Sequence, residues 1–284
     1  MDLPRPLADP SWLAQHLGTP GLVVADVRWM PGRTPAELAA AFADGHVPGA
    51  VLVDVDRDLA AAPGEGGRHP LPTPEDFAVA MSRAGIGDDT SVVAIDDVGG
   101  SLAARLWWML DAVGHPVAVL DGGSQAWTGD RATGPQTWGP STFTPRPWPD
   151  AAIVGPEALI EILRAGQVRV VDARAVKRYR GDAEPIDPVA GHVPGTVSAP
   201  WTDNLDATTG RFRSRAELRL RYEMLGIGDG SVAMCGSGVT ACHDLLATRI
   251  AGIERTRLFA ASWSGWIADR SRPVARGPDP GGLS

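Results

Sequence analysis

The chain has 284 residues, 44% of them hydrophobic and 21% charged, with a net charge of -8. This balance suits a folded globular protein, and the length favours two domains over one. The acidic surplus argues against a nucleic acid or an anionic membrane as partner, while a local cluster of cations can still receive a small anion.

The N-terminal stretch MDLPRPLADPSWL carries early acids and prolines and lacks the apolar core of a signal peptide. No run reaches the roughly 18 apolar residues of a membrane span. Short β-branched runs then alternate with helix-like stretches. LVVADV (22–27) reads as a strand, AELAAAFADG (36–45) as an amphipathic helix and AVLVDV (50–55) as a strand. AAPGEGGRHPLPTP (61–74) reads as an exposed loop. A helix opens at Thr73 as N-cap, with Glu75 and Asp76 in its first turn. SVVAID (91–96) is the next strand, AARLWWMLDAVG (103–114) a helix and PVAVLDGG (116–123) a strand. Such alternation predicts the α/β class, with a parallel sheet and helices on both faces.

The same series then returns. VVADVRW (23–29) is answered by VVDARAV (170–176), and DGHVPGAV (44–51) by AGHVPGTV (190–197). AGIGDD (84–89) is answered by LGIGDG (225–230), SVVAIDD (91–97) by SVAMCGS (231–237), and LDGGSQAW (120–127) by FAASWSGW (259–266). This is a duplicated domain rather than a solenoid. It predicts one domain over residues 1–128, a linker rich in Pro, Gly and Thr over 129–152, and a second domain over 153–284.

The two cysteines, Cys235 and Cys242, form no CxxC pair, and no Cys/His cluster has metal-ligand spacing, so no metal is expected. So few cysteines suit a reducing cytoplasm. The apolar run SVAM ends at Cys235, the turn CGSGVT follows, and TACHDLLATRI (240–250) reads as a helix. A thiol at the carboxyl end of a parallel strand stands where open α/β sheets place their ligands. Gly236 and Gly238 let the backbone turn its amides inward, which with a helix N-terminus makes an anion nest. Lowering a thiol pKa by two units takes about 2.7 kcal/mol, within reach of one or two charge-assisted hydrogen bonds. The resulting thiolate is a nucleophile. Cys242, inside the helix, reads as core packing. Cysteine phosphatases hold phosphate with a Cys-x5-Arg loop, but here the sixth residue after Cys235 is Ala241, which removes the bidentate cation.

CGSGVTA (235–241) and the twice-occurring GHVPG (45–49 and 191–195) resemble the two-domain rhodanese-type sulfurtransferases. The resemblance implies two tandem rhodanese-like domains, of which only the second carries the nucleophile; Asp96 falls where Cys235 falls in the repeat. It implies a persulfide on Cys235 and no metal or organic cofactor. In this family, two cations after the cysteine go with thiosulfate as donor, and Gly-Ser-Gly goes with 3-mercaptopyruvate. Gly236, Ser237 and Gly238 resemble the second type. Ser237 would serve the leaving enolate or relay a proton, and the loop from Gly236 through Gly238, Val239 and Thr240 would supply amides.

Arg178 matches the family's first substrate arginine, with Arg180 close by. The second, usual just before the second GHVPG, is missing from EPIDPVA (184–190). His46 and Arg33 are expected from the first domain, for proton transfer and anion contact, and Trp263 as an apolar wall. His192 is expected to be structural, as are the pairs Asp172–Arg174 and Asp26–Arg28. The implied partners are a small anionic sulfur donor and a thiol, cyanide or thioredoxin-like acceptor. A thiosulfate enzyme and a non-catalytic persulfide carrier stay open beside the mercaptopyruvate enzyme.

Overall fold

In the computed structural model, which describes residues 2–139 and 141–283, the strands of both sheets pair in parallel throughout. The first unit contains β1 (Leu7–Ala8), α1 (Pro10–His16), β2 (Leu22–Arg28), α2 (Pro35–Asp44), β3 (Val51–Asp54), α3 (Val55–Asp58), α4 (Pro74–Arg83), β4 (Ser91–Ile95), α5 (Ala103–Ala112) and β5 (Val117–Leu120). Its sheet runs β1-β5-β4-β2-β3. The second contains α6 (Pro156–Ala165), β6 (Val170–Asp172), α7 (Val176–Arg180), β7 (Val197–Ser198), α8 (Arg215–Met224), β8 (Val232–Met234), α9 (Ala241–Ile250), β9 (Arg257–Leu258) and α10 (Ser262–Trp266). Its sheet runs β7-β6-β8-β9. The α/β class expected from the alternation is what forms.

Local chemistry explains the boundaries. Thr34 caps α2 in a reciprocal capping box with Glu37, with Pro35 in the first turn. Thr73 caps α4 as expected, accepting from the Asp76 N–H, and Ser214 repeats the capping box on α8 with Glu217. Helices α5 and α9 differ: neither has a side-chain cap at its N-cap residue, Leu102 or Thr240. Both follow directly from the loop after a buried strand. Leu13, Val24, Phe42, Ile95 and Leu120 pack the first core, and Leu159, Val170, Met234, Phe259 and Trp266 the second.

The division between units departs from the expected boundaries. The first unit holds the chain up to Ala61, Leu71–Trp148 and Thr209–Arg211, and the second holds Ala62–Pro70, Pro149–Thr208 and the chain from Phe212 on. The stretch expected as a linker packs on the first unit for most of its length. The Trp138 indole N–H donates to the Gly49 carbonyl at 3.0 Å, and the Thr144 hydroxyl donates to Asp88 at 2.5 Å. The loop 61–74 is not simply exposed: its His69 is buried and its middle belongs to the second unit.

The paired GHVPG histidines do the same structural work twice. His46 stacks on Phe42 at 4.0 Å with its Nδ1 2.9 Å from the Phe42 carbonyl. His192 stacks on Tyr179 at 3.8 Å with its Nδ1 2.9 Å from the Tyr179 carbonyl. Each ring locks its turn onto the preceding helix.

Candidate active site

Register sets the site. In the second unit Asp172 lies opposite Met234 on the neighbouring strand, so the chain leaves the sheet at Cys235 beside the turn that carries Arg174. The Cys235 side chain is buried. The Gly238 N–H donates to its Sγ at 3.1 Å, so a backbone dipole points at the sulfur. Gly238 has φ +82°, and a Cβ there would come within 2.4 Å of the Ala260 carbonyl, so glycine alone fits. The Cys235 N–H donates to Ser262 Oγ at 3.0 Å, and that hydroxyl donates to the Phe259 carbonyl at 2.9 Å. Ser262 holds φ at 51°, a left-handed conformation costing on the order of 1 kcal/mol outside glycine. Its two hydrogen bonds offset that cost and fix the floor under the thiol. The Trp263 N–H donates to the Cys235 carbonyl at 3.0 Å and the Ser264 N–H to the Gly236 carbonyl at 2.9 Å.

Ser237 meets a histidine from the other half of the sequence. Its Oγ lies 2.7 Å from His69 Nδ1, and both residues are buried. The segment carrying His69 is seated by Gly67, whose φ is +99° and whose added Cβ would fall 2.6 Å from the Ala261 carbonyl. The Arg68 N–H donates to Ser264 Oγ at 3.0 Å. A hydroxyl and an imidazole in contact, one residue from the Cys235–Gly236 peptide, can deliver or remove a proton there.

Guanidiniums wall the other side. A carbon added to Gly236 would lie 3.2 Å from Arg68 Nη2 and 3.4 Å from both Arg178 Nη atoms. Arg178 pairs with Glu184 at 2.7 Å and with Asp187 at 2.9 Å. Arg68 pairs with the other oxygen of Asp187. Arg174, buried, grips Asp172 through two of its nitrogens, reaches Glu184 at 3.3 Å, and lies 4.7 Å over the Trp263 ring. Burial works against the Arg174 charge, but Asp172, Glu184 and the Cys235 sulfur outweigh it and raise its pKa. Burial likewise opposes the Glu184 charge, yet Arg178 and two backbone N–H groups hold its pKa below the usual carboxylate range. Burial raises the Asp187 pKa against the pull of Arg68 and Arg178.

Of the residues singled out from the sequence, the structure gathers Cys235, Gly236, Ser237, Gly238, Val239, Thr240, Arg178 and Trp263 in the second unit. Trp263 is fully buried and ties its indole N–H to the Val189 carbonyl at 3.0 Å. Two expectations are corrected, at Arg180 and at His46. Arg180 is exposed and takes no part in the cluster, because residues two apart on a helix face different ways. Arg33 is an exposed residue of the first unit whose guanidinium contacts Glu37 at 3.3 Å. His46 is a packing residue of the first unit, and the imidazole at Ser237 belongs to His69. Arg68 and His69 were missed because their Gly- and Pro-rich surroundings read as solvent-facing. The repeat carried a signal: GRH (67–69) answers GRF (210–212), and each Gly-Arg segment groups with the other repeat's unit.

A buried thiol thus ends a parallel strand of an α/β scaffold, with an amide on its sulfur and a hydroxyl–imidazole pair beside it. Residues 9–130 match the Rhodanese-like domain family. The chain is 44% identical over 278 residues to the Pseudomonas aeruginosa protein named "Probable 3-mercaptopyruvate sulfurtransferase", covering 93% of this chain and 96% of that one. It is 36% identical over 263 residues to the Mycobacterium tuberculosis protein named "Putative thiosulfate sulfurtransferase SseB", covering 89% of this chain and 90% of that one. The crystal structure of SseA from Escherichia coli, a 3-mercaptopyruvate enzyme by its description, superposes with a TM-score of 0.80 at 28% identity, covering 91% of this chain and 99% of that one. The chain belongs to the two-domain rhodanese-type sulfurtransferase family and is an enzyme of that class.

Proposed function

We propose that the protein takes sulfur from 3-mercaptopyruvate and passes it to a thiol or cyanide through a persulfide on Cys235. The Cys235 thiolate attacks the donor sulfur. A sulfur–sulfur bond forms, the donor carbon–sulfur bond breaks, and its electron pair leaves as the pyruvate enolate. The enolate carbon takes a proton and departs as pyruvate. An acceptor thiol, cyanide or the thiolate of a thioredoxin-like protein then attacks the outer sulfur and restores Cys235, a ping-pong cycle. No helix among the described residues is long and apolar enough to cross a membrane, and a chain with only two cysteines suits turnover in a reducing cytoplasm.

The observation that carries the donor choice is the 2.7 Å contact between Ser237 and His69. An enolate leaving group requires a proton; sulfite leaving from thiosulfate does not. Arg178 faces the same space and supplies a cation for the donor carboxylate. Thiosulfate is the second reading, favoured by the additional guanidinium of Arg68 beside Gly236. Parallel kinetics with both donors, at one pH and one acceptor concentration, decide between them. Higher kcat/KM with 3-mercaptopyruvate is expected; higher kcat/KM with thiosulfate overturns the assignment. Without turnover of either donor in excess acceptor, the protein is a sulfur carrier.

A further inference from the structure

We infer that Asp187 is a specificity-determining residue, which clamps Arg68 and Arg178 into one fork and sets the charge of the anion that fork accepts. The inference rests on the sulfurtransferase reading of the site and adds what discriminates between donors.

Three guanidiniums, Arg68, Arg174 and Arg178, meet three carboxylates, Asp172, Glu184 and Asp187, in one connected set of ion pairs. Asp172 pairs with Arg174, the innermost cation, and Glu184 is shared between Arg174 and Arg178. Asp187 stands between the two guanidiniums that border the space over Gly236, with one carboxylate oxygen on each. Its side chain is only 3% exposed, so water screens it little. Without Asp187, Arg68 and Arg178 would present an uncompensated charge one residue from the thiol, an environment for a dianion. With it, the set is neutral before the donor arrives. A monoanionic carboxylate then gains directed hydrogen bonds from the guanidinium forks and adds one charge to a neutral site. A dianion adds two. Asp187 also positions: it joins Arg68, which arrives on the 62–70 segment, to Arg178 on α7. Loop and flank thus divide the labour, since Gly236 leaves open the space that the guanidiniums border from outside the loop.

The test compares the wild-type enzyme with Asp187→Asn and Arg68→Gln, with two readouts. The first is the ratio of kcat/KM for thiosulfate to that for 3-mercaptopyruvate. Asp187→Asn is expected to raise it about tenfold, since the dianion gains more from the freed cation, and Arg68→Gln to lower it. The second needs no turnover: the rate of Cys235 alkylation by anionic iodoacetate relative to neutral iodoacetamide, followed by mass spectrometry. It is expected to rise several-fold in Asp187→Asn and to fall in Arg68→Gln. If neither donor is turned over but the alkylation ratios move as stated, the donor reading fails and the role of Asp187 stands. If both donors lose equally and the alkylation ratio stays at the wild-type value, Asp187 is only structural and the inference is overturned. Should Asp187→Asn fail to fold, Arg68→Gln decides by the same two ratios.

Discussion

The loop after β4 and the loop after β8 occupy the same place in their sheets and hold different side chains. In the first unit Asp96 is fully buried, and its carboxylate accepts from the N–H groups of Val98 at 3.0 Å, Gly100 at 2.8 Å, Leu102 at 2.7 Å and Ala103 at 2.9 Å. In the second, Cys235 stands there and its sulfur accepts from Gly238 alone among the described hydrogen bonds. No described residue accepts the N–H groups of Ser237, Val239 or Thr240. The first loop shows what this turn is built to do: gather amides and a helix N-terminus around a negative charge. There the charge is a permanent side chain that also serves as the missing cap of α5. Next to Cys235 the amides stay available for charge that the reaction brings, which on the reading proposed above is the outer persulfide sulfur.

The largest expected effect comes from removing the element that separates the two loops. Cys235→Ser should abolish sulfur transfer, by at least about a thousandfold, and leave no sulfur adduct in the mass spectrum of the donor-treated protein. Retained activity would place the chemistry elsewhere. In the other loop, Asp96→Ala should leave four amides unpaired, three of them buried, and cost about 3–5 kcal/mol of stability, read as a lower midpoint in chemical denaturation. A cost under about 0.5 kcal/mol would mean that water satisfies those amides and that the two loops are not comparable.

His69→Asn tests whether the second loop works on a leaving group that needs a proton. Loss of a general acid typically costs about a hundredfold or more in kcat. That loss should appear with 3-mercaptopyruvate and largely vanish with thiosulfate. Equal losses with both donors would make His69 a positioning residue for Ser237.

Much of this was legible in the sequence, and the failures have physical causes. Cys235, Gly236 and Gly238 could be read because a thiol between a β-branched run and a helix, in a turn needing special backbone angles, has few structural reasons to exist. Thr73 was readable because a cap is local chemistry. His46 misled because its repeat partner His192 carries the same motif, and a motif does not say whether a ring stacks on its own helix or reaches a site. Arg68, His69 and Asp187 were hidden because their partners lie 119 and 168 positions away in sequence, and composition describes only the neighbours of a residue. Ser262 could not be foreseen, since nothing local predicts a serine at positive φ.

A second buried carboxylate sharpens the contrast with Asp96. Asp244 on α9 accepts from the Asn204 side-chain amide at 2.7 Å, while its other oxygen has no hydrogen-bond partner. Burial pushes its pKa from 3.8 up to about 7. The folded chain therefore takes up a proton that the unfolded chain releases near pH 4, so this group favours folding most at low pH. Its contribution falls as pH rises towards 7 and is flat above. Asp244→Asn should remove that slope from a series of denaturation midpoints across pH 4 to 8; an unchanged slope would assign it to other groups.

The smallest effect is expected at Cys242, where the loops differ without consequence for the chemistry. It follows Ala241 in α9 as Ala104 follows Ala103 in α5, and both Cys242 and Ala104 are fully buried. The first unit thus packs this position with no heteroatom. The Cys242 thiol donates to the Gly238 carbonyl at 3.3 Å, a weak contact that a serine hydroxyl can also make. Cys242→Ser should therefore cost about 1 kcal/mol of stability, from burying a more polar group, and leave kcat/KM within about twofold of wild type. The carbonyl it holds belongs to the same residue whose N–H contacts the Cys235 sulfur. A loss of turnover above about tenfold with the fold intact would show that Gly238 needs anchoring from both sides, or that sulfur visits the second thiol. Mass spectrometry of the donor-treated wild-type protein separates these, because only the second leaves an adduct on Cys242.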